Sequence, residues 1–235
     1  MRKIAIILAG GEGHRAGGDV PKQFRVVCGK PMYQWSLEAF VKADSNTELV
    51  LVCHPGAFDL LDILDSEWDE RCASEGVKRP TYKLVCGGRT RRESVEHALM
   101  DIDADENILV AVHDAARPLV SAEMIVRGWE KAMQCGSAVP VVPIVDSMRV
   151  RVDENATKPE DRSRFLAVQT PQVFNADILK KAYALPDSPT FTDDASIVQE
   201  YLGGSISVYS GISENIKVTV PTDFVVAEAL LKHKA

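Results

Sequence analysis

Positive charge is what this sequence has least to spare. Its 27 Lys and Arg stand against 34 Asp and Glu, a formal net charge of −7. That balance argues against a protein that coats nucleic acid or an anionic membrane, since both need a basic face. An anionic ligand would have to be held by cations gathered locally. Cysteine is also sparse. Cys28, Cys53, Cys72, Cys86 and Cys135 are odd in number and contain no CxxC pair. A disulfide framework and a cysteine-based zinc site are thereby disfavoured, and a reducing cytoplasmic compartment is expected. The apolar opening KIAIILA is too short to span a bilayer and runs into glycines and charges, so no signal peptide or membrane anchor is expected. Internal repeats, low-complexity tracts and linkers are missing as well.

What is present suits one α/β domain over residues 1–235, with 46% hydrophobic and 26% charged residues. Short β-branched runs at 3–9, 48–53, 82–85, 108–113 and 137–142 read as buried strands. Amphipathic stretches at 31–43, 91–100 and 122–134 lie between them and read as helices. This alternation predicts a doubly wound, mostly parallel, Rossmann-like sheet. Ligands of such sheets sit beyond the carboxyl ends of the strands. The polar loops LAGGEGHRAGG, GGRTRRES and HDAARP all fall there.

After Pro143 the pattern changes. Residues 144–168 alternate short strand signals around a polar tip and predict a protruding β-arm, marginal by itself and therefore suited to a partner. Helical signals return at 176–184 and 195–201, a strand follows at 206–210, and Pro221 opens a last helix through residue 232.

Gly10, Gly11 and Gly13 directly follow the first strand, where they allow backbone N–H groups to approach a phosphate; an ordinary strand-to-helix turn is the alternative. Lys22 lies between Pro21 and Gln23, so the loop is not a P-loop, and its glycine spacing does not match a dinucleotide fingerprint. What remains is a long loop with Arg15 and Lys22, two cations able to reach phosphate oxygens. Asp114 offers a hard oxygen ligand at a strand end, or a cap for the following turn. His113 reads as a buried, hydrogen-bonded side chain. Arg89, Arg91 and Arg92 read either as phosphate contacts or as solvated partners of Glu93 and Glu96.

Taken together, LAGGEGHRAGGDVPKQF, HDAARP, TPQVF, TDDAS and NIKVT resemble the 2-C-methyl-D-erythritol 4-phosphate cytidylyltransferase family of the non-mevalonate isoprenoid pathway, in order from residue 8 to residue 219. The resemblance implies a fold of the nucleotidyltransferase type, CTP and a polyol phosphate as substrates, and Mg²⁺ or another divalent cation held at Asp114. It implies that Arg15, Lys22 and Lys217 act on the reacting phosphates, and that Ala9, Gly10, Gly11, Gly13, Gly87, Ser94 and Asp114 bind CTP. Arg117, Ser147, Arg162, Thr170 and Asp193 would bind the acceptor, the arm of one protomer reaching its neighbour in a homodimer. Read without the resemblance, Ser94 is an inconspicuous first-turn residue, and Thr170 and Asp193 are boundary residues.

The opening loop departs from the family's usual form, which has a proline and alanines before the glycine and a methionine after the arginine, and Ser147 stands where threonine is usual. LAGG is also the form of ribitol 5-phosphate cytidylyltransferases, so D-ribitol 5-phosphate is the alternative acceptor. HDAARP, VDSMR and TDDAS favour methylerythritol phosphate. A CTP-binding protein without turnover and a sugar 1-phosphate nucleotidyltransferase are the remaining readings. So many phosphate-directed charges disfavour the first, and HDAARP and TPQVF disfavour the second.

Overall fold

The first strand, β1 (Arg2–Ala9), is covered on both faces. Ile4 and Ile6 pack to one side and Ala5, Ile7 and Ala9 to the other, all at 2% exposure or less. A strand buried this way needs neighbours on both edges and helices on both faces, and the rest of the chain supplies them. The computed structural model describes residues 1–11 and 20–234. A single 3-10 turn, Lys22–Phe24, leads into a two-residue ladder of β2 (Val26–Val27) and β3 (Lys30–Pro31), followed by α1 (Met32–Ala43). Then come β4 (Glu48–Cys53), α2 (Phe58–Glu75), β5 (Lys83–Cys86), α3 (Arg91–Leu99), β6 (Ile108–Asp114), α4 (Ala122–Cys135) and β7 (Ser137–Pro143). The remainder is β8 (Met148–Arg151), β9 (Thr157–Glu160), β10 (Leu166–Val168), β11 (Gln172–Asn175), α5 (Ala176–Tyr183), α6 (Asp194–Leu202), β12 (Val208–Ser210) and α7 (Pro221–Lys234).

The main sheet runs β10-β7-β11-β6-β1-β4-β5, with β12 also on β7. β6, β1, β4 and β5 are mutually parallel, in the register that sets Ile7 beside Leu51 and His113. The mostly parallel arrangement expected holds in that half, and β12 also pairs parallel with β7. In the other half β11 inserts antiparallel between β6 and β7, and β10 pairs antiparallel with β7. β11 carries no helix-to-strand signal of its own, because TPQVF reads as a boundary.

One face of the sheet is covered by α1, α2 and α4, through Tyr33, Phe40, Trp68 and Trp129, and the other by α3, α5 and α6, through Val95, Leu99, Leu179 and Val198. A third, smaller cluster joins Val27, Met32 and Leu119 to Ala227 and Leu231 of α7. The sequence reading missed α2. Its buried residues Leu61, Leu64, Trp68 and Cys72 recur at helical spacing, but acids crowd the exposed face. Gly76 closes it at φ 67°, a conformation that favours glycine.

The arm is the β8–β9 hairpin, paired from Met148 with Glu160 to Arg151 with Thr157 and not joined to the main sheet. The last part of the segment expected to form it, β10, belongs to the main sheet instead, because its backbone finds a partner in β7. Among the described residues no helix is long and apolar enough to cross a membrane.

Candidate active site

The carboxyl ends of β1, β4, β5 and β6 open into one cleft of about 930 Å³. Gly10 and Gly11 line it after β1, His54 after β4, the 87–90 turn after β5 and Asp114 at the end of β6, while Lys22, Gln23, Lys217 and Thr219 close it from segments outside the sheet. In their described parts, the three loops singled out in the sequence meet at one edge. Arg15 and Gly13 lie outside the described residues.

The glycine loop is held from below by a residue the sequence reading did not single out. Gln23 is 4% exposed, and its side-chain amide donates to Gly11 O at 2.9 Å and to Ala9 O. Ala9 is therefore a buried strand end whose carbonyl is already engaged. Next to Gln23, Lys22 Nζ donates to Val218 O at 2.8 Å. Nothing in the local sequence marks a glutamine for this task, apart from its following Lys22 in a one-turn helix.

The loop after β5 requires glycine. A Cβ on Gly88 would stand 2.2 Å from Glu93 Cβ, and one on Gly87 3.3 Å from both Cys53 O and Ser94 Oγ. Ser94 Oγ accepts from Gly88 N at 3.1 Å and donates to Thr90 O at 2.9 Å, while Thr90 caps α3 by accepting from Glu93 N. Ser94 thus lines the cleft and also shapes the turn. The arginines of GGRTRRES divide. Arg89 stands at the mouth of the cleft, its side chain 92% exposed beside Glu93. Arg92 turns away and binds Glu96 and the carbonyls of Tyr183 and Leu185. Arg91 lines the cleft with its guanidinium fixed by carboxylates.

At the floor lies Asp114. A turn does follow, with Arg117 N donating to the Asp114 carbonyl at 2.9 Å, but the carboxylate faces two cations instead of capping it. Its Oδ2 is 2.7 Å from Lys217 Nζ and its Oδ1 is 3.5 Å from Arg91 Nε. Burial alone would raise its pKa, but the Arg91 guanidinium and the Lys217 ammonium outweigh it and hold the carboxyl well below the usual range. Lys217 is set in place by its neighbours: Val218 N donates to Ala116 O at 2.8 Å, and Thr219 Oγ1 to Lys217 O at 3.0 Å. Arg91 is held in turn by Asp194, bidentate at 2.8 and 2.7 Å.

Behind Asp114, Thr170 is 5% exposed; its Oγ1 accepts from Asp114 N at 3.1 Å and bonds His113 Nδ1 at 3.0 Å. His113 is fully buried, and burial pushes its pKa down to about 4, despite Asp114 beside it. It is neutral and structural, as expected. Arg117 spends its guanidinium on Asn215 O at 2.7 Å and Val168 O at 3.3 Å, and does not line the cleft. Asp193 caps α6, accepting from Ser196 N at 2.9 Å and Gln172 Nε2 at 2.8 Å. Ser147 and Arg162 are exposed on either side of the hairpin, outside the cleft lining, with Arg162 bonded to Val145 O. Within one chain, then, Lys22, Gly10, Gly11, Gly87, Ser94, Asp114 and Lys217 come together. Thr170, Arg117 and Asp193 support the surroundings, and Ser147 and Arg162 stand apart.

Among the described residues no three His, Cys, Asp or Glu side chains are grouped to hold a metal ion. A protein cage is not what Mg²⁺ uses, since it keeps several waters and takes one or two carboxylates together with substrate phosphates. Asp114, ionised and with Oδ1 3.5 Å from the nearest cation among the described residues, fits that mode.

The model of the IspD family, 2-C-methyl-D-erythritol 4-phosphate cytidylyltransferase, matches residues 3–233. The 2-C-methyl-D-erythritol 4-phosphate cytidylyltransferase of Bacteroides thetaiotaomicron is 39% identical over 231 residues, spanning 98% of this chain and 100% of that one. The chloroplastic enzyme of Oryza sativa subsp. japonica is 38% identical over 97% of this chain and 74% of its own. The crystal structure of the Thermus thermophilus enzyme superposes with a TM-score of 0.73 at 32% identity, covering 99% of this chain and all of that one. With the family model and near-full-length relatives in agreement, the chain belongs to the 2-C-methyl-D-erythritol 4-phosphate cytidylyltransferase family.

Proposed function

We propose that this chain transfers the cytidylyl group of CTP to 2-C-methyl-D-erythritol 4-phosphate, giving 4-diphosphocytidyl-2-C-methyl-D-erythritol and pyrophosphate in isoprenoid precursor synthesis. A phosphate oxygen of the acceptor attacks the α-phosphorus of CTP, a new P–O bond forms, and the bond to the bridging oxygen breaks as pyrophosphate leaves. The acceptor phosphate is already ionised at neutral pH, so the protein's task is positioning and charge stabilisation. The observation that carries the reading is the convergence of Lys22, Lys217 and Asp114 with the glycine turns at 10–11 and 87–88 in one cleft.

In this reading the glycine turns receive the nucleotide, Ser94 and the backbone around Gly87 face its base and ribose, and Lys22 with Arg15 stabilises charge on the triphosphate as it redistributes. Lys217 contacts the reacting phosphates. Asp114 and the substrate phosphates would hold Mg²⁺, which supplies charge neutralisation when bound. The acceptor lies against the partner's arm in a homodimer, with Ser147 and Arg162 contributed across the interface. Supporting this are the absence of those two residues from the lining of their own cleft and the exposure of Val152 (62%) on a hairpin too small to be stable alone, with Val145 (81%) exposed just before it. Arg117, Thr170 and Asp193 hold neighbouring segments through Asn215 O, Asp114 N and Gln172 Nε2. Five free thiols suit a cytoplasmic location. The relatives compared carry the methylerythritol name and lend ribitol phosphate no support.

Chromatographic detection of the cytidine diphosphate product, with equimolar pyrophosphate, from purified protein, CTP, Mg²⁺ and methylerythritol phosphate tests the reading. CTP binding without product would reduce it to a nucleotide-binding protein.

A further inference from the structure

Asp193 and Asp194 are adjacent carboxylates with different roles. Asp193 is spent as the cap of α6. Asp194, the first residue of that helix, is completely buried, and its oxygens take Arg91 Nη1 and Nη2 at 2.8 and 2.7 Å as well as the Tyr183 hydroxyl. A fork of this kind fixes the plane of the guanidinium. Desolvation offsets most of the attraction in a buried pair, so net stability does not account for it. What the pair fixes lies in the cleft. Arg91 opens α3 and lines the cleft, its Nε is 3.5 Å from Asp114 Oδ1, and Asp114 Oδ2 is held by Lys217 at 2.7 Å. A guanidinium released from Asp194 could pair bidentately with Asp114, or with a phosphate of the nucleotide, because both match its geometry.

We propose that Asp194 is a positioning residue for cytidylyl transfer. By engaging Nη1 and Nη2 of Arg91 it keeps that guanidinium from chelating Asp114 or the triphosphate, and so holds Asp114 and Lys217 in register with the reacting phosphates. The inference rests on the cytidylyltransferase reading above.

Steady-state kinetics with CTP and methylerythritol phosphate test it. Asp194→Asn keeps the shape and removes the charge. The expected result is a kcat lower by about tenfold or more, from misplacement of the reacting groups. KM for CTP should change by less than about threefold, because the interaction matters most in the transition state. Combined with Arg91→Met it should add nothing, since Asp194 acts through Arg91. A purely structural Asp194 would lower the folded fraction, read by near-UV circular dichroism, while leaving kcat per folded molecule unchanged. That result, or effects of the two substitutions that multiply, overturns the proposal. Should Asp194→Asn not fold, Arg91→Lys carries the test, because it keeps the cation and loses the fork: a similar fall in kcat is expected, and wild-type kcat overturns the proposal. Wild-type protein inactive with these substrates sinks the functional reading and the inference with it. An active wild type with unaffected variants sinks the inference alone.

Discussion

Lys22 and Gln23 are neighbours in one 3-10 turn and tie it to two distant segments: Lys22 Nζ donates to Val218 O at 2.8 Å, while Gln23 Nε2 donates to Gly11 O at 2.9 Å. The turn thereby links the glycine residues after β1 to the segment that presents Lys217. The residue read as a phosphate ligand and the residue that holds the Ala9 and Gly11 carbonyls thus sit side by side in one turn.

Replacing Lys22 with alanine is expected to lower kcat by roughly 10²-fold or more, the scale of losing one preorganised donor to transition-state charge. Stopped-flow or steady-state pyrophosphate release measures it. Turnover near the wild-type rate would remove Lys22 from the chemistry and leave it as a support for the 217–219 segment.

Gly88→Ala tests the close approach in the turn after β5. Its Cβ would fall 2.2 Å from Glu93 Cβ, so the 87–90 segment has to shift and Ser94 loses the Gly88 N–H it now accepts. A displacement of this kind should raise the dissociation constant for CTP by about tenfold, measured by calorimetry. Gly204→Ala, outside the cleft lining and with only Leu202 O within 4 Å of the added Cβ, serves as the control for substitution as such.

Stability and chemistry should separate at Trp68. This side chain is fully buried, with its ring 6.2 Å from that of Tyr33 and Arg79 stacked above it. Trp68→Ala is expected to destabilise the protein by about 3–5 kcal/mol through lost burial and the cavity left behind. At temperatures where the variant is folded, KM for CTP should not change. Denaturant titration reads the first quantity and kinetics the second.

If the arm completes its partner's site, an Arg162→Ala chain and a Lys22→Ala chain should rescue each other when co-expressed, because a mixed dimer contains one site with neither substitution. About a quarter of the wild-type activity is expected from random pairing, and about a half from purified mixed dimers, each of which keeps one intact site of two. Co-purified mixed dimers as inactive as the parents would confine each site to a single chain.

Much of this was legible in the sequence. Strand runs such as 3–9 and 108–113 are continuous and β-branched, so burial on both faces shows directly, and the loops at their carboxyl ends could be assigned to one edge. Lys217 and Asp114, 103 residues apart in the chain by their numbers, were found through separate motifs, and their 2.7 Å contact confirms that the motifs meet. Side-chain direction is what local sequence does not encode. Two adjacent aspartates look alike, yet the first turn of α6 uses Asp193 as its cap and turns Asp194 inward onto Arg91. Gln23 was overlooked because an amide becomes significant only once buried carbonyls surround it. α2 was hidden by its own acids, and β11 by its length of four residues and its antiparallel insertion into a sheet read as mostly parallel.

The most direct measurement is pyrophosphate release by the purified protein with CTP and Mg²⁺, run in parallel with 2-C-methyl-D-erythritol 4-phosphate and with D-ribitol 5-phosphate. The account predicts rapid release with the first and little with the second. Release with ribitol phosphate alone would contradict it, and would make the LAGG loop and Ser147 the residues that report the acceptor.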